Sequence, residues 1–298
     1  MEAIQWYHEF DFGNGLKTTS FAPYRELWDM TKAFLDRIDF KGKSVLDIGC
    51  WDGYWSFYAE RRGAKRVLAT DMNSQRWAKW NIDLKPASSD PVPNEGFQLA
   101  HEVYDSKVEY RGDVNVYDLI SLGSRFDIVL FLGVLYHLTH PMYAITQIRH
   151  VVAKEGIAVI ESGVIADDKR SHMDFYYGAN YGLEPYRRMD PSNWTLPTRR
   201  CLRDILKSNY FDVVAESALL HPDEALRERA DTLSKSDRLI QAFVKRLCRR
   251  YDVPLRDEEN VQRYGRMILQ CAAVQRVDAN YLYAPLMGLD VYDTRSAP

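Results

Sequence analysis

The sequence predicts an α/β fold, a mostly parallel sheet with helices on both faces. Three observations predict it. An apolar run at Val45, Leu46 and Ile48 ends in a turn carrying Gly49 and Gly53. A helix-compatible segment follows and gives way to a second apolar run, 67–69, which stops at Asp71. Further apolar runs then alternate with helical stretches as far as 267–275. Strand, glycine turn, helix, strand, acid is the opening half of a doubly wound sheet.

Taken in order, residues 1–22 read as an extended aromatic lead with a turn at Gly13, Asn14 and Gly15. Residues 24–38 have helical spacing, with Leu27, Met30, Phe34 and Leu35 on one side. The sheet starts at Val45. After Asp71, 74–82 reads as a short helix and 85–95 (KPASSDPVPNE) as a turn-rich loop. A helix over 96–104 leads to a third strand at 107–110. The fourth strand is 126–131, followed by a helix over 143–152 and a fifth strand at 156–161. From 162 to 197 the pattern breaks. Tyr, Gly, Asn and Pro dominate there, and so long a loop inside a compact domain is usually functional or disordered. A helix over 198–208 and a sixth strand at 211–216 resume the alternation, and 224–251 is charged and helical. Residues 267–275 form the seventh strand. The expected organisation is a lead and helix over 1–40 covering the site, then one domain over 41–298. That domain contains the aromatic loop 162–197 and a helical insertion over 222–262 before the last strand.

Composition narrows the class. The 298 residues are 46% hydrophobic and 27% charged, ordinary for a soluble globular protein. A net charge of −3 argues against a uniformly basic nucleic-acid binder, though not against a local patch. Cys50, Cys201, Cys248 and Cys271 are scattered, with no metal-site or C-x-x-C spacing, so reduced thiols in a cytoplasmic protein are expected. The first residues, MEAIQWYHEFDF, have neither a basic start nor an apolar core, so no signal peptide is expected. No run is long enough to span a bilayer. His137 and His140 form H-x-x-H without a third ligand, and no metal site is expected.

The glycine turn and the acid define a ligand. Gly49 and Gly53 allow a sharp bend and a close approach. Asp71 should sit at the carboxyl end of the second strand, where its carboxylate accepts from both hydroxyls of an unphosphorylated ribose. The chain lacks the third glycine of a dinucleotide fingerprint and has no G-x-x-x-x-G-K-[ST] phosphate loop. The remaining common occupant is a nucleoside without phosphates, S-adenosylmethionine.

At this point the chain resembles the class I S-adenosylmethionine-dependent methyltransferases. The resemblance rests on Asp47, Gly49, Cys50, Trp51, Asp52 and Gly53, then Asp71, then Gly112 and Asp113, then the run from Phe126 to His137. It spans roughly 41–161. Trp51 stands where the middle glycine is common. The resemblance implies a Rossmann-like seven-stranded methyltransferase sheet whose last strand runs antiparallel to its neighbours. It implies that Asp47, Gly49, Cys50, Trp51 and Gly53 face the methionine part of the cofactor. Asp71 would bind the ribose, Met72 would lie beside the adenine, and Asp113 would approach its amine with Val114 alongside. Leu132 and Gly133 would line the reactive end. More narrowly, Trp6, the Gly13-Asn14-Gly15 turn, Thr18, the Gly133–His137 box and Asn193-Trp194 are similar to the branch around the bacterial tRNA wobble-uridine carboxymethyltransferase. That branch implies carboxy-S-adenosylmethionine as an alternative donor, with Tyr136 at its extra carboxylate and Arg266 as the counterpart of a C-terminal arginine.

The acceptor should lie over the carboxyl ends of strands four and five, because an in-line displacement needs alignment and a dry site. Tyr136, His137 and Glu161 follow those strands. His137 suits a base, and Tyr136 suits a ring face beside a sulfonium. Trp6, Tyr7, Phe12, Tyr176, Tyr181 and Trp194 are the aromatic candidates for the acceptor. The leading expectation is methyl transfer to O, N or C of a small-molecule acceptor. The rivals are a tRNA wobble-uridine modifier and a non-catalytic, cofactor-binding interaction subunit.

Overall fold

The computed structural model describes residues 4, 6–20, 24–71, 95–112, 114–175, 193–221 and 264–274. Among them is a seven-stranded sheet in the order β3-β2-β1-β4-β5-β9-β8, with a separate pair, β6-β7. The strands are β1 Ser44–Ile48, β2 Arg66–Thr70, β3 Glu109–Arg111, β4 Phe126–Leu132, β5 Val152–Ile165, β6 Met173–Phe175, β7 Thr195–Pro197, β8 Phe211–Glu216 and β9 Tyr264–Ala273. The helices are α1 Arg25–Leu35, α2 Tyr54–Arg61, α3 Glu95–Val103, α4 Pro141–Val151 and α5 Arg199–Ser208. β1 pairs in parallel with both β2 and β4, and β4 with β5. β9 runs antiparallel to both β5 and β8.

Side chains alternate across the sheet, so successive residues of one strand enter different layers. Leu46, Val129, Phe131 and Ile160 join Ile145 and Ile148 of α4 and Leu202 of α5. Val45, Leu130 and Val159 join Phe34 of α1, Phe57 of α2 and Phe97 of α3 on the other face. Both faces are covered, which is why the central strands read as continuous apolar runs.

Strand order reverses beside β1, so the turns after β1 and β4 flank the crevice where such sheets hold ligands. The two turns touch: a side chain added at Gly49 would stand 2.5 Å from Val134.

The structure corrects three element boundaries. β5 does not stop at Glu161 but continues to Ile165, because Ser162 to Ile165 pair with Met267 to Tyr264 of β9. The last strand is accordingly shifted towards the N-terminus. Residues on either side of the aromatic loop also pair, as β6 with β7. The helical insertion expected over 222–262 lies outside the described residues, as does the short helix over 74–82.

Candidate active site

The turn after β1 is built on positive φ. Gly49 has φ +76°, Gly53 has φ +78° and Trp51, between them, has φ +49°. A side chain at Gly53 would come within 2.4 Å of Phe97 and 2.7 Å of Phe57. Both glycines therefore face protein atoms, and packing as well as backbone geometry requires them. The left-handed tryptophan is held from outside the turn: its backbone N–H donates to Asp71 Oδ2 at 2.8 Å. Asp71, directly after β2, thus braces the glycine turn. The Trp51 indole Nε1 is buried and has no hydrogen-bond partner. Cys50 is buried beside it, and burial, then the Asp71 charge, push its thiol well above the usual range.

Two further acids stand in this turn. Asp47 is buried on the α2 side and accepts from the Ser56 hydroxyl at 2.6 Å. Burial raises its carboxyl to about 6, against the opposing pull of Ser56. Asp52 is completely buried and anchors the lead. Its carboxylate accepts from the backbone N–H groups of Tyr7 at 3.1 Å and His8 at 2.8 Å, and lies 2.7 Å from His8 Nδ1. Sequence reasoning missed this role, because the partners lie 44 residues upstream of an acid that looks like turn punctuation.

This anchoring goes with ring packing inside the lead. Trp6 packs 4.9 Å from Phe10, and Phe12 stacks on Phe10 at 5.6 Å and meets Tyr104 at 5.2 Å. Trp6 and Phe12 thus pack the lead against itself and against Tyr104. Tyr7 differs. Its ring lies 6.4 Å from Trp51 and 5.9 Å from Trp28. Burial pushes its phenol well up, with Tyr136 adding to the effect and Arg266 opposing it, so Tyr7 shares the electrostatic surroundings of the far edge.

That far edge joins β4, β5 and β9. Pairing sets Leu132 opposite Glu161, and Gly163 opposite Arg266. Arg266 donates to both Glu161 oxygens at 2.7 Å, and its second terminal nitrogen donates to the Tyr136 hydroxyl at 2.8 Å. Glu161 is 3% exposed. Burial opposes the Arg266 charge, but Glu161 and Tyr136 outweigh it and hold the guanidinium charged. Burial likewise raises the Tyr136 phenol. Gly133, φ +77°, opens onto all three: a side chain there would meet Tyr136, Glu161 and Arg266 at 3.5 to 3.7 Å. The Arg266 guanidinium lies 4.6 Å from the Tyr136 ring centre and the His137 ring 4.2 Å from it. The Tyr136 ring thus meets a guanidinium. The Trp194 backbone N–H donates to the Tyr136 carbonyl at 2.8 Å, fixing that turn.

Val114 is buried in the core beside Leu68 and Leu119. Leu132 is half-buried at the end of β4. Met72, Asp113, Tyr176 and Tyr181 lie outside the described residues. Among the described residues, no group of three or more His, Cys, Asp or Glu is placed to hold a metal, and no helix is long and apolar enough to cross a membrane.

A family described as a methyltransferase domain matches residues 21–216, about two thirds of the chain. The chain belongs to the class I S-adenosylmethionine-dependent methyltransferases. Among curated relatives of this methyltransferase is the tRNA U34 carboxymethyltransferase of Campylobacter lari, 23% identical over 142 residues, 48% of this chain and 42% of that one. The protein of the same name from Trichodesmium erythraeum is 24% identical over 195 residues, 64% of this chain and 52% of that one. The matches thus span about half the length of these relatives. Among solved structures, the N-terminal domain of EvdMO1 with S-adenosylhomocysteine bound is 15% identical, has a TM-score of 0.53, and is matched over 90% of this chain and 92% of that one. At that identity the likeness speaks for the fold.

The residues present fit the methyl donor on two observations. The buried Trp51 indole N–H lacks an acceptor, and the Asp47 carboxyl, raised by burial, is the kind of group a cation on a ligand relieves.

Proposed function

We propose that this methyltransferase transfers a methyl group from S-adenosylmethionine to O, N or C of a small-molecule acceptor. The observation that carries the reading is the bidentate pairing of Arg266 with Glu161 beneath Gly133. Glu161 cancels the arginine's charge, so the edge favours a neutral methyl group over one bearing a carboxylate, which would face Glu161. When bound, S-adenosylmethionine would supply an electrophilic methyl carbon with a neutral thioether as its leaving group. Asp71 holds the ribose diol while bracing the turn. Asp47 and the turn from Gly49 through Cys50, Trp51 and Gly53 hold the methionine part. Met72, Asp113 and Val114 hold the adenine, and Leu132 and Gly133 line the reactive end. His137 takes the proton lost by a hydroxyl or amine acceptor. Tyr7, Glu161, Trp194, Tyr176 and Tyr181 are the acceptor contacts, with Tyr136 presenting its hydroxyl. The proposed division of the chain is unchanged: lead and helix over 1–40, domain over 41–298.

A second reading is a tRNA wobble-uridine carboxymethyltransferase. The contact between Arg266 and Tyr136, together with the names of the curated relatives, favours it. Charge weighs against it. Described arginines such as Arg62, Arg66, Arg170, Arg200 and Arg203 are paired with acids, leaving less positive surface for phosphates. Calorimetry on the full chain tests the choice. S-adenosylmethionine should bind at least tenfold more tightly than carboxy-S-adenosylmethionine. The reverse order, with salt-sensitive tRNA binding, selects the second reading. Binding of neither donor leaves a non-catalytic interaction subunit.

A further inference from the structure

We infer that the Trp51 indole N–H is the hydrogen-bond donor to the α-carboxylate of the methyl donor's amino-acid end. This rests on the proposed function and deepens it. Trp51 occupies a left-handed backbone conformation, φ +49°, disfavoured for any residue with a Cβ. The site nonetheless holds a bulky indole there, and Asp71 fixes its backbone through the 2.8 Å bond. The indole then leaves its single polar atom, Nε1, buried and without an acceptor. A buried donor in that state costs more than an ordinary hydrogen bond returns, so such groups are rare and call for a missing partner.

Chemistry selects the partner. The same turn begins with Asp47, whose buried carboxylate suits a cation. An acid at the start of the turn and an unmet N–H in its middle complement a zwitterion, with the ammonium at Asp47 and the carboxylate at Trp51. The ribose end is already matched by Asp71. Asp52 clamps the lead over the turn, and Tyr7 packs 6.4 Å from the indole, so the bond forms away from water, where it is strongest. Trp28 also has a buried, unpartnered Nε1. It lies in α1 and packs in the core cluster with Phe34, so it serves as the control.

The test is calorimetry with two probes on the full chain. S-adenosylhomocysteine carries the amino-acid end; 5′-methylthioadenosine keeps the adenosine and thioether but lacks it. Trp51→Phe should weaken S-adenosylhomocysteine by about ten- to a hundredfold, the value of a hydrogen bond to a charged group. It should leave 5′-methylthioadenosine within twofold, and Trp28→Phe should change neither. Equal affinities in Trp51→Phe and wild type, or equal losses for both probes, overturn the inference. A wild-type chain that binds neither probe overturns the proposed function itself, and this assignment with it. Should Trp51→Phe fail to fold, the wild-type chain labelled with [15N]tryptophan decides. One indole N–H resonance should move downfield with S-adenosylhomocysteine and not with 5′-methylthioadenosine; no such shift overturns the inference.

Discussion

The two turns that flank the crevice solve opposite electrostatic problems. The glycine-turn edge gathers Asp47, Asp52 and Asp71, whose described partners are hydroxyls, backbone N–H groups and one histidine. Burial raises the Asp47 carboxyl to about 6. The edge of β4, β5 and β9 instead pairs one buried acid with one guanidinium, sealed by a tyrosine hydroxyl. Among the described residues, Asp47 is held by a neutral hydroxyl, whereas Glu161 is held by a guanidinium. On the proposed function, that difference suits a cationic donor at the first edge and a neutral transferred group at the second.

The hardest blow to this comparison falls on Arg266. Arg266→Ala leaves Glu161, 3% exposed, without its counter-charge, and should cost about 3–5 kcal/mol of stability. Denaturant midpoints measure it. Adding Glu161→Ala should recover much of the loss, because the cost is an orphaned charge. A single-variant loss below about 1 kcal/mol would mean that the edge is solvated and not self-contained.

Asp47 tests the other edge through pH. Its folded pKa of about 6 lies above the ordinary carboxyl value, so the folded state holds the proton where the unfolded chain releases it. Stability should therefore fall as pH rises from about 4 to about 6, by at most about 3 kcal/mol, and the loss should persist above that window. Asp47→Asn removes this contribution. Its melting temperature should fall less than that of the wild type across the same window, while donor affinity drops. Parallel profiles for the two proteins would show that a cation within the protein already compensates Asp47.

On the proposed function, Asp71→Ala removes charge-assisted bonds to the ribose along with the brace on Trp51, and should weaken S-adenosylhomocysteine binding by about 1.5–3 kcal/mol. Calorimetry reads it. Unchanged affinity would mean that Asp71 only shapes the turn and that the ribose is held elsewhere.

The same contrast explains what the sequence could reveal. The glycine turn, its acids and the strands around it are local, and turn residues and apolar periodicity mark them within 44–71. The other edge depends on pairing between β5 and β9, which joins Glu161 to Arg266 across 105 positions. No spacing rule records that. The available signal is one acid in the apolar run AVIESGV and one arginine directly before MILQCAAVQ, each isolated where charge is unwelcome. Asp52 was hidden for the same reason, its partners lying in the lead. Ser162 and Gly163 are weak strand formers, so local composition ends β5 early and pairing with β9 overrides it.

Tyr136→Phe gives the smallest effect and the finest test of whether the second edge is a pair or a unit. The substitution keeps the ring against Arg266 and removes only the hydroxyl that accepts at 2.8 Å. Glu161 still takes both of its bonds from Arg266, so the guanidinium keeps its charge partner. The expected stability loss is about 1.5 kcal/mol, the low end for a hydrogen bond to a charged group, below that of Arg266→Ala. A double-mutant cycle of Tyr136→Phe with Glu161→Gln measures the coupling. Near-additive losses leave the tyrosine hydroxyl available to turn towards an acceptor. Strong coupling makes the three groups one network, in which Tyr136 positions Arg266 and the acceptor must be oriented by His137 and Tyr7 instead.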